Sequence, residues 1–88
     1  MDKSTVIRMK KKLSVTDLAG EKVMIDFESG KYFMIKGSGN DIWDMIQNEI
    51  TVGEIIDKLL DIYDVDEAVC EASVTGFLDK MRELGFIE

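Results

Sequence analysis

This chain offers little with which to make or break bonds. It has one cysteine, Cys70, and no histidine. A thiol needs a nearby base or positive charge to ionise at neutral pH, and no imidazole exists here to supply one. The usual general base and the nucleophile–base triads are therefore absent. An internal disulfide is impossible, and zinc has no adequate ligand set. No phosphate-cradling loop or dinucleotide fingerprint occurs, because "GSGN" at 37–40 lacks the spacing. The chain is expected to be non-catalytic, with no metal and no cofactor.

The chemistry on offer is that of the backbone. The stretch "FESGKYFMIKGSGNDIWDMI" (27–46) opens as a turn and a short strand, then passes into an amphipathic helix. The strand Tyr32–Ile35 holds no proline and no charge, with Lys31 and Lys36 only flanking it. A sheet edge leaves N–H and C=O groups unpaired, a template for another chain unless proline, bulges or charge blunt it. An extended peptide can add there, the ladder giving affinity and side-chain pockets giving specificity. The N-terminal stretch or a second subunit can cover the same edge instead, and the residues alone do not choose among the three.

The elements around this strand follow from periodicity. "LSVTDL" (13–18) and "KVMIDF" (22–27) alternate as strands, with "AGE" and "ESG" as turns. In the second, Val23, Ile25 and Phe27 form the expected apolar face, set against Met24 and Asp26. With "KYFMI" (31–35) these make a three-stranded antiparallel meander; "VIRMK" (6–10) is an open candidate for a fourth strand. Ser38 or Asn40 can cap a helix carrying Ile42, Trp43, Met45 and Ile46, with Trp43 a core anchor. Thr51 with Glu54 is a capping box ahead of Val52, Ile55, Ile56, Leu59, Leu60 and Tyr63. Asp66 is the expected cap of a last helix, from about Glu67 to Leu84, with Gly85 as its C′ residue. Phe86 and Ile87 then fold back on the core.

The fold class is α+β and winged-helix-like: an N-terminal three-stranded meander followed by three α-helices. Residues 1–12 are expected to be a basic tail or an extra edge strand, and residues 13–88 a single recognition domain.

Charge narrows the partners. The net charge is −7, yet residues 1–12 carry a balance of +4 and residues 13–88 one of −11. The basic stretch can touch an anion, but so acidic a body repels phosphate backbones. A winged-helix nucleic-acid binder is the rival reading. Its recognition helix needs Arg, Lys, Asn or Gln on its exposed face, whereas here Lys80 and Arg82 stand against Glu67, Glu71, Asp79 and Glu83. No nucleic-acid partner is expected. No apolar run reaches the roughly 18 residues of a membrane span and no signal-peptide core is present, so a cytosolic protein with no membrane association is expected.

Taken in order, Tyr32-Phe33-x-Ile35-x-x-Ser38-Gly39-x-x-Ile42-Trp43, Thr51-Val52-x-Glu54-Ile55, Leu59, Tyr63-Asp64-Val65 and Val74-x-x-Phe77-Leu78-x-x-Met81-x-x-x-Gly85-x-Ile87 resemble the pyrroloquinoline-quinone biosynthesis protein D family, the precursor-peptide recognition element. The resemblance covers roughly residues 13–88, with Lys36 and Ser73 departing from the family's usual Asn and Asp. It implies a non-catalytic adaptor that binds the leader of a ribosomally made precursor peptide as an added strand beside the last helix. It further implies presentation to a modifying enzyme or leader peptidase, in a lasso-peptide or radical-SAM pathway, by a monomer or weak homodimer. The expected peptide contacts are Lys31, Tyr32, Phe33, Met34 and Ile35 on the strand, and Val69, Cys70, Ser73, Val74 and Phe77 on the helix. Glu67, Glu71, Asp79 and Glu83 are expected to form a solvated helix face, the alternative being that Glu67 and Glu71 steer a basic leader segment inward.

Overall fold

A computed structural model describes residues 1–11 and 13–88. Lys12, part of the expected basic segment, lies outside the described residues. The chain runs β1 (Val6–Ile7), β2 (Ser14–Leu18), β3 (Glu21–Asp26), β4 (Lys31–Ile35), α1 (Ser38–Met45), β5 (Ile50–Thr51), α2 (Val52–Ile62) and α3 (Glu67–Glu83). Strands β2, β3 and β4 form the antiparallel meander in that order, so the α+β class with three strands before three helices stands.

The two hairpins are built differently. Leu18 pairs directly with Glu21, leaving a two-residue turn in which both Ala19 (φ 52°) and Gly20 (φ 83°) are left-handed. Glycine adopts that conformation freely, whereas alanine is strained by about 1 kcal/mol. Ala19→Asn is therefore expected to raise stability by about 0.5–1 kcal/mol, measurable as a higher urea midpoint at unchanged slope.

The β3–β4 turn is organised by Asp26, a buried carboxylate. It accepts hydrogen bonds from Lys11 Nζ (3.0 Å), the Glu28 N–H (3.1 Å) and Ser29 Oγ (3.0 Å). The bond from Lys11 is the main cause holding its pKa below the ordinary 3.8. A depressed carboxylate contributes stability that is complete above the unfolded pKa and lost as pH falls through the lower folded one. With no histidine to titrate, stability is expected to be flat from about pH 5 to 8 and to drop below about pH 4. Denaturant midpoints across this range should show a smaller acid-side drop in Asp26→Asn than in the wild type.

The inward face of β3 is the reverse of the expected one. Met24 is fully buried beside buried Asp26, while Ile25 and Phe27 are exposed. Both faces carry apolar side chains, so alternation alone does not tell which one meets the helices.

The helices follow their caps. The α2 capping box forms as expected: Thr51 Oγ1 accepts from the Glu54 N–H, and the Glu54 carboxylate accepts from the Thr51 N–H. Gly85 (φ 81°) closes α3 in a Schellman motif, with the Phe86 N–H donating to Met81 O and the Gly85 N–H to Arg82 O. Phe86 and Ile87 then bury against the core, and Phe86 meets Phe33 edge to face at 5.1 Å. At α1 the expected cap differs: the helix starts from Gly37 with no side-chain cap. Asn40 instead donates from Nδ2 to Gly20 O (3.0 Å), tying α1 to the β2–β3 turn. Asp66 is the N-cap residue of α3, as expected, though its side chain makes no capping hydrogen bond. Trp43 is buried in the core, as expected.

The N-terminal segment joins the helical half of the molecule. Strand β1 pairs with β5, and Met9 bridges Ile87. Its cations serve as counter-ions to the acidic body: Lys3 to Glu67, Arg8 to Glu49, and Lys11 to Asp26 and Glu28, each at 3.0 Å. None of these contacts lies on β4.

Candidate functional site

Strand β4 has β3 on one side and, among the described residues, no strand on the other. The segment that was a candidate to cover this edge pairs with β5 instead. The outer N–H and C=O groups of β4 are therefore open to a partner strand.

Beside that edge lies a groove of about 750 Å³ between β4 and α3. Its floor is apolar, made by Phe33, Ile35, Ile42 and Phe77, and its helical wall runs from Ala72 to Leu84. The groove exists because α1 enters tightly behind β4. At Gly39 a Cβ would stand 2.8 Å from Ile35 Cγ2 and 3.1 Å from Phe77 Cε2. Glycine there lets the strand, α1 and α3 converge.

The residues expected to touch a peptide fall into four groups. Tyr32, Phe33, Met34, Ile35, Ser73 and Phe77 line the groove. Lys31 sits exposed at the turn end of β4, outside the lining. Val69 is exposed and lines an adjoining depression of about 210 Å³ that shares Ser38 and Ser73 with the groove. Cys70 and Val74 are both buried in the core, on the side of α3 that carries Leu78 and Met81. Cys70 reaches only the floor of the smaller depression, and burial pushes its thiol pKa upward. A helix turns 100° per residue, which sets positions 70 and 74 about 60° round the helix from 73 and 77, on the core-facing side of the same stripe.

Sequence reasoning missed Gly76, Lys80 and Leu84 on the same wall. The ridge through Ser73 and Phe77 continues by helical spacing to Lys80 and Leu84, so extending it would have found them. The charge at the groove is opposite to that of the steering alternative. Lys36 and Lys80 line it, whereas Glu67 is paired with Lys3 and neither Glu67 nor Glu71 is in the lining.

A meander whose edge strand β4 is walled by the last of three helices over an apolar floor defines a small recognition domain whose site is a strand-shaped slot. The chain belongs to the family of Coenzyme PQQ synthesis protein D (PqqD), whose sequence profile matches residues 21–87. A solved structure, TbiB1 in complex with the TbiA(beta) leader peptide, shares the fold with a TM-score of 0.82, covering 92% of this chain and 94% of that one at 22% identity. No curated protein matches the chain in sequence.

Proposed function

We propose that this protein is a non-catalytic adaptor. It binds the leader segment of a ribosomally synthesised precursor peptide by strand addition along β4 and presents it to a modifying enzyme or leader peptidase of the same pathway, of lasso or radical-SAM type, in the cytosol. The observation that carries this reading is the unpaired edge of β4 opening onto the apolar groove. Main-chain bonds along that edge give affinity, and the groove reads alternate side chains. The fold shared with a leader-bound protein supports the same reading. In this mechanism Tyr32–Ile35 supply the ladder, Phe77 and Ser73 face the added strand, and Cys70 and Val74 hold the helix in place from behind. The acidic body disfavours nucleic acid, and among the described residues no helix is long and apolar enough to cross a membrane.

The test uses short peptides encoded beside this chain's gene, titrated by calorimetry and followed by hydrogen exchange. Slowed exchange at the outward amides of Tyr32–Ile35 on saturation is the expected result. Saturable binding that leaves those amides unprotected places the peptide elsewhere and ends the strand-addition reading.

A further inference from the structure

Two features of the groove wall are unexplained by folding. Gly76 lies in the middle of α3, where glycine costs about 1 kcal/mol relative to alanine. Its φ is not left-handed, and a Cβ built on it would meet nothing within 4 Å. Neither conformation nor packing of the free protein calls for glycine there. Gly39, by contrast, is demanded by its neighbours. The space left at Gly76 opens into the groove.

The second feature is Lys80, one turn further along the same wall. In a chain of net charge −7, Lys3, Arg8, Lys11, Lys22 and, at 3.9 Å, Lys36 each lie within 4 Å of a carboxylate. Lys80, like Lys10, Lys31, Lys58 and Arg82, has no such partner among the described residues, but it and Lys36 are the cations that line the groove. The slot is thus an apolar floor with a cationic rim on an acidic protein. Charge complementarity selects an occupant carrying carboxylates.

The dimensions agree. From Ala72 to Leu84 the wall is about 18 Å long, and a five-residue strand spans about 17 Å. Gly76 and Lys80 are about 6 Å apart along the helix, close to the ~6.7 Å repeat of side chains on one face of a strand.

We propose that the strand taken up by this groove is apolar and acidic: a bulky apolar side chain seats against α3 at Gly76, and a carboxylate two residues away meets Lys80. This rests on strand addition along β4, and the experiment separates the two. The probe is a displayed library of random peptides about 12 residues long, selected on the intact protein. Enriched peptides are expected to carry an aromatic or long apolar residue two positions from Asp or Glu. Gly76→Leu is expected to keep the Tm at or above that of the wild type and to weaken these peptides about tenfold or more. Lys80→Glu is expected to weaken them similarly in low salt, less so at about 0.5 M salt, and to redirect selection toward Lys and Arg. Peptides weakened by proline in β4 but indifferent to both α3 variants overturn this proposal and leave strand addition standing. Peptides indifferent to the β4 prolines as well, or no enriched peptide at all, overturn both.

Discussion

Phe33→Pro and Met34→Pro are expected to divide cleanly between loss of binding and loss of folding. Along an edge strand, successive N–H groups point alternately toward the neighbouring strand and away from it. Phe33 and Met34 sit opposite Met24 and Val23 of β3, so one of the two donates into the meander and the other faces the open edge. Proline deletes a donor and fixes φ near −65°. At the outward position the free protein loses no bond, and edge strands tolerate proline. Peptide affinity there should fall about a hundredfold, as one ladder bond is lost and the ring crowds the added strand. At the inward position a sheet bond is lost, and stability should fall by about 3 kcal/mol. Calorimetric titration of a bound peptide, with circular dichroism as the folding control, reads both. A folded outward-position variant with unchanged affinity would show that the peptide does not pair with β4.

The second large effect contrasts two arginines on one helix. Cys70→Arg places a guanidinium where the side chain is 4% exposed, beside the Ile56 carbonyl and among Val74 and Leu78. Burying an unpaired charge and overfilling the core costs more than about 4 kcal/mol, enough to unfold a domain whose whole stability is a few kcal/mol. Ser73→Arg, three residues on, points into the groove from an exposed position. It should change stability by no more than about 0.5 kcal/mol while obstructing the slot, weakening peptide binding about tenfold or more. Thermal melts separate the pair. A folded Cys70→Arg protein that still binds peptide would contradict the burial on which the core side of α3 rests.

Much of this protein was legible in its residues because the signals are local. Thr51 and Glu54 satisfy each other's backbone groups within one turn. Gly85 is where a left-handed residue ends a helix, and Gly30 (φ 72°) where one closes a hairpin. The order of three strands and three helices follows from period-two and period-3.6 patterns, as does the poverty of catalytic groups from composition. The strand Tyr32–Ile35 announced itself by carrying none of the devices that blunt an edge.

Only the tertiary structure decided the rest, and in each case the deciding contact is long-range or the local pattern is degenerate. Strand β3 has apolar side chains on both faces, so which face met the helices depended on the packing of Met24. Strand β1 is two residues long, and its partner β5 lies more than forty residues away; that pairing leaves the β4 edge open. On α3 the apolar stripe is wide enough that periodicity could not divide core from groove. Burial of Cys70 and Val74 in the core, with Gly76 and Lys80 left lining the groove beside β4, was settled by how α3 packs against α2, a property of the assembled fold rather than of any segment in it.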